Sequence, residues 1–545
     1  MTSGARMGNV TRAEWRWAII ASFLIIALSS IPYLTGYLAQ TPDKIFGGAV
    51  FDRVDYNVHL ASILTGLRGE WAYPILHTHE SIPPSYVKLF YIFIGQFGRI
   101  VPLSPYMLYE IARVACGVWM SLTMYAFASR FLFSIALRRT AFLFFSLGSG
   151  LGWLMLALKW LPDSNVSPID FWLMDLYGFF SLLTFPHFTT VFALTWSGAL
   201  AFLNFQRDGK PRDMIFTIIT ALLILYFQPF AVGILDVVLS LYAISRWMWR
   251  RKIIWREFVG LSFMAISQVP LLIYSAFTFW GDATWQSSSG QLIMLSPSPL
   301  YYVMGIGIVG ALAFFGVWRL IRRAPNESWL LMIWMVAVAV LIYLPTQFQR
   351  RFTEGAWAPL SVLAAMGVAT LLPRLRRLKG VAAWVRYPYP RARGLVIMLI
   401  ILIASASSLY LTFGGALITL TRNATLFDSA DMMNAMSWLQ TNSQWQETIF
   451  TSEKTGNVIP ARIGHRVYLG HPVETANYTV KVENANRFFS TMKDEERMGL
   501  LTQCGCRYLF YGSNERELGS FNPDTANYLK RVYASNDVKV YEVVR

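Results

Sequence analysis

Residues 51–80, FDRVDYNVHLASILTGLRGEWAYPILHTHE, form a short polar segment that follows the first of many hydrophobic runs. The segment holds two aspartates, three histidines and two glutamates. Ionisable side chains are costly to hold near hydrocarbon, so their concentration beside a membrane indicates a functional role. We therefore expect chemistry at the membrane surface.

The composition around this segment predicts an all-α polytopic membrane domain. Of the 545 residues, 55% are hydrophobic and 14% are charged, whereas a soluble domain is about 25% charged. Several apolar runs approach the roughly 20 residues that a helix needs to cross a bilayer, and they do not alternate as membrane β-strands do. We expect about eleven to thirteen transmembrane helices within residues 1–420.

The net charge of +16 is explained by membrane topology, so no nucleic-acid partner is expected. Basic residues gather in short loops, as cytoplasmic loops do. The clusters lie at 6–16, 207–212, 246–256, 319–323 and 374–393. The pattern predicts a cytoplasmic N-terminus, a first extracytoplasmic loop at 41–84 and an extracytoplasmic C-terminus. The short apolar segment 85–101 either crosses the membrane or forms a re-entrant or interfacial helix.

Residues 421–545 are more polar and predict a small extracytoplasmic α/β domain. Strands are expected in ETIFTS, RVYLG, CRYLFYG and VKVYEVV, and helices at 429–439 and 524–532. Asp428 or Ser429 is the expected N-cap of the first helix. Cys504 and Cys506 lie too close in sequence to form a disulfide easily, and no zinc pattern surrounds them.

Asp52, Asp55 and His59 share one face if their segment is helical. Two carboxylates and an imidazole can bind a divalent cation such as Mg²⁺ or Mn²⁺, or act as a general base. A solvated amphipathic helix is the alternative.

His77, His79 and Glu80 follow in the same loop. They lack the one-turn spacing of a helix-borne metal site. Contacts to a phosphate or a sugar, or a structural role, are the two interpretations.

Two later motifs carry further candidates. His187 heads a span in TFPHFTT and is preceded by the acidic loop 163–175; an interfacial histidine without a chemical role is the alternative. Arg350 and Arg351 lie in YLPTQFQRRFTEG, on the side predicted to be extracytoplasmic. Guanidinium groups there suit a lipid phosphate or diphosphate, and pairing with Glu354 is the alternative.

Asp236 favours a different function. It lies in an apolar run with no obvious partner, close to the Gln228-Pro229 break. Intramembrane carboxylates and broken helices are typical of transporters, so a transporter or flippase is an alternative hypothesis. A non-catalytic membrane scaffold, whose outer domain binds a partner or a glycan, is the third.

The order of these features resembles the integral-membrane glycosyltransferases of the C-type fold (GT-C). More closely, it resembles bacterial relatives of the dolichyl-phosphate-mannose protein mannosyltransferases. Their Asp-Glu-x-x-Tyr pattern is best matched in DYNVHLASILTGLRGEW, with Asp55 at the acidic position and Trp71 closing the motif. This chain departs from the pattern with Tyr56 at the second acid and His59 at the tyrosine.

The resemblance implies a fold, a reaction and a location. The protein would lie in a bacterial plasma membrane and move a sugar from a polyprenyl-phosphate donor to an extracytoplasmic lipid, glycan or protein. Asp55 would take the proton of the acceptor hydroxyl. If a metal takes part, Asp55 and Asp52 would bind it, with His59 a possible substitute; otherwise the site is metal-independent.

The resemblance also implies roles for the basic residues. Family members often carry Lys-Pro-Pro at the next span, where this chain has IPPSYVK, so Lys88 would reach the lipid phosphate. Arg350 and Arg351 would hold the same phosphate as it leaves. His187 with Asp170 would orient the sugar or a metal, and the C-terminal domain would hold the acceptor.

Overall fold

The protein is mostly helical in the computed structural model, which describes residues 9–161, 166–323, 326–375 and 389–544. Asp163 and residues 376–388 of the basic run lie outside the described residues. The helices are Arg12–Leu38, Arg53–Leu67, Leu89–Gly98, Pro105–Phe131, Ile135–Leu147, Gly152–Ala157, Gly178–Leu183, Pro186–Asp208, Pro211–Phe227, Pro229–Arg250, Trp255–Gly281, Ala283–Gly290, Pro299–Ile321, Trp329–Leu341, Trp357–Leu375, Tyr389–Ala404, Ala406–Leu420, Ala430–Asn442, Glu453–Ile463, Tyr478–Phe489, Asp494–Gln503 and Ser513–Arg516. Short 3₁₀ turns lie at Ile169–Phe171, Gln349–Thr353 and Pro523–Thr525.

Six of the described helices are long and apolar enough to cross a membrane, which confirms the polytopic helical class. They are Arg12–Leu38, Pro105–Phe131, Pro186–Asp208, Pro229–Arg250, Trp255–Gly281 and Pro299–Ile321. A seventh span results if Arg393–Ala404 and Ala406–Leu420, bent by 52°, count as one. This number is below the predicted eleven to thirteen, because other apolar runs form helices of only 10–17 residues.

The segment 85–101 forms one of these shorter helices, Leu89–Gly98. At 1.5 Å per residue its ten residues extend about 15 Å, half of the roughly 30 Å hydrocarbon core. It packs closely on Arg53–Leu67, where a Cβ atom on Gly66 would lie 2.2 Å from the carbonyl oxygen of Ile92. The helix is therefore too short to span.

The chain divides into two compact units. The first unit comprises the described residues of Met1–Ile31, Arg113–Leu271 and Met294–Gly415. The second unit comprises those of Pro32–Ala112, Leu272–Ile293 and Ala416–Arg545. The second unit thus joins the polar loop after the first helix to the C-terminal segment.

Among the described residues, seven strands form two sheets, all within the second unit. They are β1 Lys44–Phe46, β2 Phe427–Ser429, β3 Thr448–Phe450, β4 Arg466–Val467, β5 Tyr508–Tyr511, β6 Leu529–Ala534 and β7 Lys539–Val543. β1 pairs with β2 in antiparallel register, which ties the first loop to the start of the C-terminal segment. The other five have the order β4-β3-β5-β7-β6, with β3 parallel to β4 and β5. The predicted α/β class of the C-terminal segment is confirmed.

The first predicted helix of this segment is also confirmed. It runs over Ala430–Asn442, and the Ser429 side chain accepts a hydrogen bond from the backbone N–H of Met432 at 3.2 Å. Ser429 is therefore the N-cap, and it satisfies one of the amides that a helix start leaves without a partner.

The helix predicted at 524–532 is wrong. The chain forms the turn Pro523–Thr525 and then β6, which pairs with β7 in antiparallel register. Pairing with a neighbouring strand, and burial of Leu529, outweigh the local helical pattern.

The expectation for Cys504 and Cys506 is also wrong, because these residues form a disulfide. Gly505 between them has a φ of +62°, a left-handed conformation that glycine adopts without a steric penalty. The resulting turn brings the two Cα atoms to 5.2 Å, within the range that a disulfide requires.

Candidate active site

Asp55 lies in the first turn of the helix Arg53–Leu67. Asp52 is the N-cap of that helix, and its Oδ1 accepts the backbone N–H of Asp55 at 3.2 Å. The start of a helix favours an ionised carboxylate, because its free amides carry partial positive charge. Asp52 therefore fixes the turn that carries Asp55, whose side chain remains 42% exposed.

His471, which the sequence analysis did not single out, holds one oxygen of Asp55. Its Nε2 lies 2.8 Å from Asp55 Oδ1, and its ring is only 6% exposed. Its Nδ1 accepts the backbone N–H groups of Val473 and Glu474, each at 3.1 Å. A nitrogen that accepts two amides carries no proton, so the hydrogen-bond pattern assigns the proton to Nε2. His471 is therefore a neutral donor to Asp55.

The electrostatic surroundings keep Asp55 ionised. Burial acts to raise the pKa of its carboxyl, but the hydrogen bond from His471 and the charge of Lys88 outweigh burial. The pKa of Asp55 consequently lies well below its usual value. At neutral pH the group is a carboxylate with Oδ1 engaged by His471.

Glu474, three residues after His471, gathers a second set of polar groups. Its Oε2 accepts the Tyr73 hydroxyl at 2.9 Å and lies 3.1 Å from Nδ1 of His77. Its Oε1 forms a salt bridge with Lys88 Nζ. Burial acts to raise the pKa of Glu474, but the charge of Lys88 and the hydrogen bond from His77 leave it well below its usual value.

The turn 471–474 therefore contacts two predicted site residues, Asp55 through His471 and Lys88 through Glu474. The signal for it was the sequence HPVE directly after the predicted strand RVYLG. Two ionisable residues close to a proline at the end of a strand indicate a polar turn, and binding or catalytic residues frequently lie in such turns. Nothing local in the sequence indicates that this turn contacts residue 55, some 400 positions earlier.

His59 occupies an apolar position on the same helix as Asp55. Its ring stacks on Tyr91 with centroids 4.0 Å apart. Burial and the charge of Lys88 lower its pKa to about 3. The imidazole is therefore neutral at physiological pH.

His77, His79 and Glu80 connect the first loop to the C-terminal segment. The buried His77 contacts Glu474, as described above. Glu80 accepts Nζ of Lys481 at 2.7 Å, and His79 stacks on Tyr468 with centroids 5.3 Å apart. These contacts hold the loop against the helix Tyr478–Phe489, and contacts to phosphate or sugar stay a prediction.

The first unit holds the predicted arginine pair. Nη1 of Arg351 lies 3.1 Å from Oδ2 of Asp175 and 3.7 Å from Oε1 of Glu354. The guanidinium of Arg350 lies 5.0 Å from the centre of the Trp172 ring, a cation–π distance. Burial raises the pKa of Glu354 to about 8, so at pH 7 Asp175 is the main counter-charge of Arg351.

His187 and Asp170 also lie in the first unit. The His187 side chain is largely buried between aromatic rings, with its centroid 4.3 Å from that of Phe188. Asp170 Oδ2 accepts the backbone N–H of Gly152 at 3.0 Å, and burial raises the pKa of its carboxyl. Asp170 thus contacts the start of the helix Gly152–Ala157.

The expectation that Asp236 has no partner is wrong. Its Oδ1 accepts Nε2 of Gln268 at 3.1 Å. The amide comes from the helix Trp255–Gly281, a neighbour that the sequence around Asp236 does not reveal. The break at Gln228 is present, since one helix ends at Phe227 and the next begins at Pro229.

Residues 9–161, 166–323, 326–375 and 389–544 contain no group of three or more His, Cys, Asp or Glu that could hold a metal ion. Asp52 uses its carboxylate as a helix cap, and Asp55 accepts a hydrogen bond on Oδ1. Mg²⁺ requires near-octahedral oxygen ligands, and the residues around Asp55 do not fit that requirement. A role for Mg²⁺ or Mn²⁺ stays a prediction.

No protein-family model and no curated protein sequence matches the chain. Solved structures of membrane glycosyltransferases do match it. The apo oligosaccharyltransferase of Archaeoglobus fulgidus has a TM-score of 0.52 and 12% identity over 96% of this chain and 74% of that chain. Apo ArnT from Cupriavidus metallidurans has a TM-score of 0.52 and 12% identity over 96% of this chain and 98% of that chain.

The chain has the GT-C fold. ArnT bound to undecaprenyl phosphate matches as well, with a TM-score of 0.51 and 12% identity over 95% of this chain and 97% of that chain. The resemblance found in the sequence is thereby confirmed at the level of the fold. With its six long apolar helices among the described residues, the chain is an integral membrane protein.

Proposed function

We propose that this protein is a membrane glycosyltransferase with Asp55 as its base. It moves a sugar from a polyprenyl-phosphate-linked donor to an extracytoplasmic acceptor, which is a lipid, a glycan or a protein. The observation that carries the proposal is the partly exposed Asp55 carboxylate, ionised and held on one oxygen by the buried His471. The GT-C fold supports it, as does the undecaprenyl phosphate bound to ArnT, one of the matching structures.

The reaction is a single displacement at the anomeric carbon of the sugar. The acceptor hydroxyl oxygen forms a bond to that carbon as the carbon–oxygen bond to the phosphate breaks, and the phosphate leaves with the electron pair. Oδ2 of Asp55 takes the hydroxyl proton. Although a carboxylate of lowered pKa is a weak base, the attacking oxygen becomes acidic as its new bond forms, so proton transfer is favourable late in the reaction.

The departing phosphate needs positive charge. We assign this role to Lys88, Arg350 and Arg351, since guanidinium groups bind phosphate through paired hydrogen bonds. With Glu354 largely protonated at pH 7, the arginine pair and Asp175 together carry a net charge of +1. His187 and Asp170 are assigned to orienting the sugar.

The test is transfer of radiolabelled sugar from polyprenyl-phosphate donors by purified protein in nanodiscs. Wild type and the matched control Glu70→Gln, an exposed carboxylate of the same loop, should move label into a new product. Asp55→Asn should reduce the rate by about 10²–10⁴-fold, the usual contribution of a general base. Equal transfer by Asp55→Asn and wild type would overturn the assignment of Asp55.

The two other hypotheses predict different results in the same preparation. A transporter centred on Asp236 would lose uptake into vesicles with Asp236→Asn, and would not respond to Asp55→Asn. A scaffold would respond to neither substitution, and no donor would yield a labelled product.

A further inference from the structure

A cavity of about 600 Å³ opens in the first unit at one end of the membrane helices. Four arginines line it: Arg130, Arg207, Arg319 and Arg323. The cavity lies where Pro105–Phe131, Pro186–Asp208 and Pro299–Ile321 end. It takes no part in the reaction proposed above.

Two of these arginines have carboxylate partners. Arg130 donates to both oxygens of Glu327, from Nε at 2.7 Å and from Nη2 at 2.8 Å. Arg207 pairs with the adjacent Asp208 at 2.7 Å. Their charges are therefore largely compensated within the protein.

Arg319 and Arg323 are different. In the described part of the chain, neither guanidinium has a hydrogen bond or a salt bridge. Both residues line the same cavity, and like charges that lie close together repel each other. The negative end of the helix Pro299–Ile321 offsets part of this repulsion, and an anion in the cavity would offset the rest.

Part of the cavity wall is apolar and exposed. It includes Phe133, whose side chain is 63% exposed, beside the buried Phe131 and Leu132. A small inorganic anion would leave this wall in contact with water. An anion that carries hydrocarbon would cover it and gain the free energy of apolar burial.

We propose that this cavity binds the phosphate of an anionic phospholipid. Arg319 and Arg323 contact the phosphate, and the apolar wall contacts the start of the acyl chains. Basic pockets between transmembrane helices bind acidic lipid headgroups for this reason. The ligand class follows from two guanidiniums that form no salt bridge with a described residue and lie beside an apolar surface.

The test measures phosphatidylglycerol bound to the purified full-length protein by native mass spectrometry, during titration of the lipid into detergent. The variant Arg319→Gln/Arg323→Gln should bind about 25-fold more weakly, since each basic residue contributes about fivefold. The matched control is Arg12→Gln/Arg16→Gln, which removes two exposed arginines of the same spacing from another helix. It should bind as wild type does, and phosphatidylcholine should bind all three proteins equally.

A second variant keeps both charges. Ala369 also lines the cavity. In the variant Ala369→Phe, the larger phenylalanine side chain would fill part of the cavity. It should weaken phosphatidylglycerol binding even if the double arginine variant does not fold. Competition by inorganic phosphate at millimolar concentration would indicate that free phosphate occupies the site in place of a lipid. Unchanged phosphatidylglycerol binding in the folded double variant, or in Ala369→Phe, would overturn the proposal.

Discussion

Nε2 of His471 lies 2.8 Å from Oδ1 of Asp55, although 416 positions separate the two residues in the sequence. Because Nδ1 of His471 accepts two backbone amides, the ring can only donate to Asp55. The histidine thus acts on the proposed base as a positioning residue, since it orients one carboxylate oxygen and leaves the other for the acceptor.

Replacement of His471 should change the rate and its pH dependence together. His471→Ala removes the hydrogen bond that lowers the pKa of Asp55, so that pKa should rise. As the pH falls, activity should then be lost at a higher pH than in wild type. We expect kcat to fall about 10- to 100-fold with KM for the donor nearly unchanged. Initial rates measured from about pH 4 to about pH 8, in steps of about one unit, check this prediction. A pH–rate profile whose acidic side does not shift would contradict it.

The Lys88–Glu474 salt bridge should stabilise the second unit. Glu474→Gln leaves the Lys88 ammonium without its carboxylate, and we expect a loss of about 2 kcal/mol, reduced because Lys88 is partly exposed. The double variant Lys88→Met/Glu474→Gln should recover part of the loss, because no unpaired charge remains. Thermal unfolding of wild type, Lys88→Met, Glu474→Gln and the double variant in detergent closes the cycle. Additive effects would show that the pair does not interact.

His59 should make the protein less stable in mild acid. Its pKa of about 3 in the folded state lies below the ordinary value of about 6.5. Stability is therefore fully present above about pH 6.5 and is lost as pH falls toward 3, by up to about 1.4 kcal/mol per pH unit. His59→Phe, which keeps an aromatic ring against Tyr91, should flatten this dependence. Apparent Tm values of wild type and His59→Phe, measured at about pH 5, 6 and 7, give the slope of Tm against pH for each protein. Equal slopes for the two proteins would contradict the prediction.

Sugar transfer should persist without a divalent cation. Asp52 is a helix cap and His59 is stacked on Tyr91, so we expect neither to bind a metal in place of a second acid, a position that Tyr56 occupies in this chain. We expect wild-type rates after treatment with EDTA and dialysis. Restoration of a lost activity by Mg²⁺ or Mn²⁺ would instead support metal binding at Asp55 and Asp52.

The sequence predicted the class of the fold because its signals are local. Apolar runs of helical length, the basic clusters between them and the polar loop 51–80 can each be recognised without a partner. The N-cap was narrowed to Asp428 or Ser429 for the same reason, since a cap is defined by its own few neighbours.

The errors have a different origin. The helix predicted at 524–532 is a strand because β7 offers it an edge, and Asp236 has a partner because another helix carries Gln268. The long apolar helices of the described residues are fewer than the predicted spans, because hydropathy does not show where a run of apolar residues breaks into shorter helices.

By itself, the sequence determined that this is a polytopic helical membrane protein with a C-terminal α/β segment and an acidic first loop. Only the tertiary structure decided which groups surround Asp55. Hydrophobicity, caps and charge clusters are properties of neighbouring residues, whereas His471 contacts Asp55 because the C-terminal segment packs on the first loop, to which β2 is also paired through β1. A contact across 416 positions depends on packing throughout the second unit, and no short stretch of sequence encodes it.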